Sequence, residues 1–184
     1  MKMLVVVDYQ KDFVDGALGF PGAEKLDEGI AAKIRQYQKN GDLIVQTMDT
    51  HHPDYLSTRE GKHLPVLHCL EGSDGWQTYG QTAQALAQTG FMRIDKATFP
   101  VHPSQMLELL SWVGSEEITD IEFVGLVSNI CVISNICVFQ GAFPNAQIWV
   151  DKALIASFDA KAHAAVLEVM ASLQVAICVC PTSP

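Results

Sequence analysis

Six short, mostly apolar runs recur along the chain: Met3–Val7, Leu43–Met48, Phe91–Ile94, Ile121–Val124, Ala146–Val150 and Val175–Val179. The first is unbroken, as in a strand covered on both faces of a parallel sheet. The stretches between them carry helical spacing. In Ala23–Asn40, Leu26, Ile30, Ile34 and Tyr37 fall on one face, and Asn40-Gly41 stops the helix. Gln81–Gln88 reads as a short helix, Pro103–Val113 turns Met106, Leu109 and Leu110 inward, and Ile130–Gln140 and Ala160–Leu173 complete the set. Strand and helix alternate throughout. The expected fold is therefore α/β: a three-layer α/β/α sandwich around a mainly parallel, Rossmann-type, six-stranded sheet. No linker interrupts the pattern, so residues 1–184 are expected to form a single domain.

Composition narrows the class. At 48% hydrophobic and 18% charged residues, the chain suits a compact enzyme rather than a disordered segment. A net charge of −9 gives no support for nucleic acid or an anionic membrane as a partner. The opening Met1–Asp8 reads as a first strand and not as a signal peptide, and no stretch approaches membrane-spanning length. Five cysteines (Cys69, Cys131, Cys137, Cys178, Cys180) show no zinc-finger spacing. A reduced, cytoplasmic setting is expected, with Cys178 and Cys180 as core filler. No Gly-x-Gly-x-x-Gly follows Val7, which argues against a dinucleotide site.

In open α/β sheets the site lies at the carboxyl ends of the strands. Those ends carry Asp8, Asp49, Lys96, the turn Gly125–Cys131 and Asp151. Gly125 breaks the fourth strand, and Ser128 or Asn129 is expected to cap a helix starting near Ile130. Cys131 then stands at a helix N-terminus, where the dipole favours a thiolate nucleophile. The alternative is a buried structural cysteine. The pentad Ser128-Asn129-Ile130-Cys131-Val132 recurs as Ser134-Asn135-Ile136-Cys137-Val138. Cys137 lacks a preceding Gly-turn and falls inside the helix, so Cys131 is the expected nucleophile. The irregular segment from His51 to Trp76, rich in Pro, Gly, His and charge, is long enough to be functional.

Four motifs stand in order: Val7-Asp8-Tyr9-Gln10-Lys11-Asp12-Phe13; Asp49-Thr50-His51 with a later His68-Cys69-Leu70-Glu71-Gly72; Asp95-Lys96; and Gly125 to Val132 as Gly-x-x-Ser-x-x-Cys-Val. Together they resemble the isochorismatase-like cysteine hydrolases, and within them the nicotinamidases, over nearly the whole chain. The resemblance implies Cys131 as nucleophile, Asp8 as base and Lys96 as electrostatic anchor. It implies a thioester route from nicotinamide to nicotinate and ammonia, as in NAD salvage. The oxyanion donors would be the N–H groups of Val127 and Cys131, next to a cis Leu126–Val127 bond.

The resemblance also implies one divalent transition metal bound by Asp49, His51 and His68, with Glu60 a candidate fourth ligand. One carboxylate and two imidazoles suit Zn²⁺ first, then Mn²⁺ or Fe²⁺. The metal would take the pyridine nitrogen, and Phe13, Trp76 and Phe99 would wall the ring. Asn129 and Ile130 depart from the acidic and aromatic residues that many members place before the nucleophile. The implied partner is a small amide. The oligomeric state is left open, a homo-oligomer being compatible with the sequence. The alternatives are a related cysteine amidase for a different small amide and a non-catalytic α/β binding module. The intact Asp8, Lys96 and Cys131 weigh against the module.

Overall fold

The computed structural model of the protein describes residues 1–178. Six strands form one sheet: β1 (Lys2–Val7), β2 (Leu43–Asp49), β3 (Met92–Lys96), β4 (Asp120–Leu126), β5 (Gln147–Ala156) and β6 (Ala176–Cys178). Their order is β3-β2-β1-β4-β5-β6, and every pairing is parallel. The helices are α1 (Lys11–Val14), α2 (Asp27–Asn40), α3 (Arg59–His63), α4 (Gly80–Leu86), α5 (Pro103–Val113), α6 (Ile133–Ala142) and α7 (Ala160–Ser172).

Side chains of β1 alternate between two cores, as the pleat requires. Met3, Val5 and Val7 pack with Met106 and Leu109 of α5, Ile136 and Phe139 of α6, and Met170 of α7. Leu4 and Val6 pack on the other face with Ile30, Ile34 and Tyr37 of α2 and Leu86 of α4. The helical stripe in α2 thus exists because one face must cover the sheet. No helix among the described residues is long and apolar enough to cross a membrane.

β1 lies beside both β2 and β4. The connections leave the sheet in opposite directions there, which opens a crevice at the carboxyl ends of β1 and β4. Gly125 shapes that crevice. It pairs with Val7 across the sheet, has φ +113°, and a Cβ added to it would run into the Val7 carbonyl oxygen.

Several elements differ from expectation. Residues Ala23–Leu26 form a 3-10 turn before α2. The His51–Trp76 segment contains a second 3-10 turn, Tyr55–Ser57, and the one-turn helix α3. A register shift between Phe123 and Gly125 lets β5 continue past Asp151 to Ala156. Asp151 therefore does not stand at the site. It is buried beneath α2, 3.7 Å from Lys33 Nζ, which also meets Glu122 at 2.6 Å. Cys178 is half-buried on β6, while Val179 and Cys180 lie outside the described residues.

Gly125→Ala should destabilise the fold by ~2 kcal/mol or more, since it combines a left-handed backbone with a collision against a central strand. Urea unfolding of the variant against wild type measures this.

Candidate active site

The carboxyl ends of β1, β2 and β3 bring three buried charged residues together. Asp8 leaves β1 with φ +44°, a region Asp tolerates better than most residues. Its Oδ1 accepts a hydrogen bond from Thr47 Oγ1 at 2.6 Å. Lys96, the last residue of β3, reaches past the end of β2. Its Nζ lies 2.6 Å from Asp8 Oδ2, 3.6 Å from Asp49 Oδ1 and 3.9 Å from Cys131 Sγ. Burial opposes the Lys96 charge, but Asp8, Cys131 and Asp49 outweigh it and hold the ammonium well above its ordinary range. Burial pushes the Asp8 carboxyl up, against the pull of Lys96.

Cys131 follows β4 and the cis Leu126–Val127 bond. It lies in a π-type turn, Ser128–Val132, in which Val132 N–H donates to the Val127 carbonyl. Neither Ser128 nor Asn129 caps this turn. The Ser128 hydroxyl meets His163 Nδ1 of α7 at 2.9 Å, and Asn129 Oδ1 is buried without a hydrogen bond. The expected lowering of the Cys131 pKa is also reversed. Burial pushes the thiol well up, Lys96 pulls the other way, and the Asp8 and Asp49 carboxylates add to the rise. The dipole of a turn at a helix start is weak beside full desolvation with two carboxylates close by.

The second group of residues converges from β2 and the segment after it. Ligand atoms of Asp49, His51, Glu60 and His68 all lie within 4.8 Å of one another. Asp49 Oδ2 is 3.0 Å from His51 Nε2 and 3.3 Å from His68 Nε2. Glu60 Oε1 stands 3.7 and 3.9 Å from the same nitrogens. His68 Nδ1–H donates to the Val66 carbonyl at 2.8 Å, which leaves Nε2 as a lone-pair donor facing Asp49. His51 Nε2 and Asp49 Oδ1 are buried with no hydrogen-bond partner. Converging donors with unspent lone pairs in a buried pocket fit a divalent cation. Burial works against the Asp49 charge, yet the Lys96 ammonium holds its carboxyl well below the usual range. The group Glu122, Asp151 and Cys178 also clusters, but the Lys33 ammonium already fills the cation's role there.

Three residues that support this group escaped the sequence reading. Gln10, wholly buried, donates from Nε2 to the Asp49 carbonyl at 2.9 Å and accepts from the Asp49 N–H at 2.7 Å. Asp12 Oδ2 accepts the Cys69 N–H at 2.7 Å and so fixes the residue beside His68. Tyr55 packs against both imidazoles, with ring centroids 4.3 and 5.0 Å away. A buried Gln has no sequence periodicity to betray it. Asp12 was visible only as part of a motif.

Both groups open onto one cavity of about 680 Å³, which Asp49, Glu60, His68, Val127 and Cys131 line at its inner end. Phe13 and Phe99 line it, joined by Leu18, Leu64, Ile130 and Phe158. Trp76 does not line it. Its indole N–H is spent on Thr50 Oγ1 at 2.9 Å, and Arg93 sits 5.0 Å over its ring. Cys137 is exposed on α6, away from these groups. His52 is exposed beside Glu71.

Residues 2–180 match the isochorismatase domain family, and the chain belongs to that family of hydrolases. An uncharacterized isochorismatase family protein PncA of Bacillus subtilis is 27% identical over 172 residues, spanning 89% of this chain and 90% of the relative. Among solved structures, a pyrazinamidase/nicotinamidase from Streptococcus mutans has a TM-score of 0.83 at 23% identity, over 97% of this chain and all of its own. A pyrazinamidase of Pyrococcus horikoshii in complex with zinc has a TM-score of 0.80 at 22% identity, over 96% and 98%.

With its pKa raised, Cys131 is protonated at neutral pH in the free protein. Its alkylation by iodoacetamide should therefore be slow at pH 7 and accelerate through and beyond pH 9. Lys96→Met removes the one cation that favours the thiolate, and should slow alkylation further at every pH. A rate already at its plateau by pH 7 would show the opposite shift.

Proposed function

We propose that the protein is a nicotinamidase: it hydrolyses a pyridine carboxamide to the carboxylate and ammonia through a thioester on Cys131. The observation that carries this reading is the meeting of two groups in one cavity, Asp8–Lys96–Cys131 and the Asp49–His51–Glu60–His68 cluster. The similar folds of the pyrazinamidases support it. A salvage role in pyridine nucleotide metabolism follows from that substrate, and the free thiols suit a reducing compartment such as the cytoplasm.

The residues divide the work. The resting thiol is protonated, and Asp8, made more basic by burial, accepts that proton as sulfur attacks the amide carbon. The N–H groups of Val127 and Cys131 receive the developing oxyanion. Asp8 then passes its proton to the departing nitrogen, which leaves as ammonia while the C–S bond remains. Water attacks the thioester, Asp8 takes its proton, and the acid departs as the thiol is restored. Lys96 stays charged throughout and keeps the carboxylate and sulfur in register. Asp49, His51 and His68, with Glu60, would hold a divalent ion, whose chemistry is to offer an open position to the pyridine nitrogen and so orient the ring.

Cys131→Ala should abolish ammonia release from nicotinamide while leaving the fold intact, whereas Cys137→Ala should retain most of it. Benzamide has the same shape without the ring nitrogen, and its kcat/KM should fall on the order of 10²-fold or more, about 2.7 kcal/mol. Equal rates for nicotinamide and benzamide would mean that the ring nitrogen is not recognised.

The protein should bind one divalent transition metal per chain, and His51→Ala should weaken binding more than Glu60→Ala does. Because the ligating imidazoles must be neutral, occupancy should fall in acid. Metal analysis after dialysis across pH measures both. Wild-type affinity in His51→Ala would remove His51 from the site.

A further inference from the structure

The cavity is larger than a bare pyridine carboxamide requires. At about 680 Å³ it falls among pockets that enclose drug-sized ligands. The ring and its amide belong at the inner end, against Cys131 and His68, and would occupy only a fraction of that space. The outer part has a different character. Leu18, Phe99 and Phe158 give it apolar walls, and one face of α3 contributes Arg59 and His63. Phe158 is 63% exposed and Phe99 38%, with Phe20 braced edge-on against Phe158 at 6.2 Å. Exposed aromatic side chains flanking a cavity mouth are surface waiting for a ligand to cover it.

The Arg59 guanidinium is the second observation. Among the described residues no carboxylate lies at ion-pair distance from it, in a chain with 21 acidic and 12 basic side chains. Arg93, by contrast, pairs with Asp95 at 2.7 Å. The nearest carboxylate in sequence, Glu60, is turned to the imidazoles of His51 and His68. The His63 ring is tied back by Nδ1–H donation to the Arg59 carbonyl at 2.8 Å, which braces the turn that carries Arg59. Arg59 is exposed and lines this largely apolar cavity without an acidic partner among the described residues; a guanidinium at that wall is matched by a ligand carboxylate, which it binds through two parallel hydrogen bonds.

We propose that the cavity selects aromatic carboxamides bearing a second substituent, apolar along its stem and ending in a carboxylate that Arg59 binds. This deepens the amidase reading above and rests on it for the position of the reacting amide. Arg59 is then a specificity-determining residue, remote from the reacting atoms. The aromatic pair Phe99 and Phe158 covers the stem.

The test compares 5-(2-carboxyethyl)nicotinamide with its methyl ester, by ammonia release on metal-loaded protein. The acid should exceed the ester in kcat/KM on the order of 10-fold. That ratio should collapse toward one in Arg59→Gln and be partly kept in Arg59→Lys, which retains the charge without the fork. A general loss of structure would lower both rates and leave the ratio alone. Calorimetric binding of acid and ester to the Cys131→Ala protein, with and without Arg59→Gln, reads the same preference without turnover. Failure of nicotinamide hydrolysis alone thus overturns the reaction and not the subsite. Equal handling of acid and ester by wild type in both assays overturns the subsite, as does a preference that survives Arg59→Gln. Cleavage of nicotinamide with exclusion of both longer amides does so too.

Discussion

The structure around the cavity depends on one buried ion pair, Lys96 with Asp8. Both side chains are withdrawn from water, and an ammonium placed there alone would cost several kcal/mol in lost hydration. Asp8 at 2.6 Å, Asp49 at 3.6 Å and the polarizable sulfur of Cys131 at 3.9 Å are what make its charge tolerable. The dependence runs both ways. Without Lys96, two carboxylates would face each other in a dry pocket, and breaking such a buried pair typically costs ~3–5 kcal/mol. A pairing this confined adds little stability beyond what apolar side chains of similar size would give. Its consequence is chemical: it holds an ionised, basic carboxylate beside a protonated thiol.

Asp49 joins this pair to the second group. One oxygen faces the Lys96 ammonium and the other faces two imidazole nitrogens at 3.0 and 3.3 Å. A change of charge among the imidazoles is therefore felt at Lys96 through a single carboxylate. Gln10 makes that carboxylate's position rigid by clamping both the N–H and the carbonyl of Asp49, and it ties the same strand end to the Trp76 carbonyl. Trp76 thus belongs to the scaffold behind the group, which is why its ring is turned from the cavity.

The sheet was legible in the sequence because each strand is a short apolar run and each long helix a periodic stripe. The order of the strands was not, because parallel pairing leaves no local mark in the sequence and shows only in the register of the sheet. Lys96, Asp49 and Asp8 could be placed by the rule for strand ends. Asp151 obeyed the same rule on paper and failed it, since the bulge opposite Gly125 carries β5 onward by five residues. The recurring Ser-Asn-Ile-Cys-Val pentad shows how little local sequence decides. Cys131 is buried and Cys137 exposed. Asn129 Oδ1 has no hydrogen bond. Asn135 is wholly buried, donating to the Cys131 and Phe99 carbonyls and accepting from Val101 N–H.

That Asn135 network explains how an apolar cavity wall and a reactive turn are kept in one geometry. Asn135 Nδ2 donates to the Cys131 carbonyl at 2.8 Å. The same amide holds the Phe99 carbonyl at 3.1 Å, while its oxygen takes the Val101 N–H at 2.9 Å. The nucleophile and the aromatic wall facing it are therefore positioned by one buried side chain. A shift of the 99–101 segment would leave buried polar groups unpaired, at ~1–3 kcal/mol each. The cavity's inner end is rigid for this reason. At its outer end, Arg59 and Phe158 project from short or irregular segments, and the turn that carries Arg59 is held by local bonds of Thr58 and His63 rather than by one side chain shared with the sulfur.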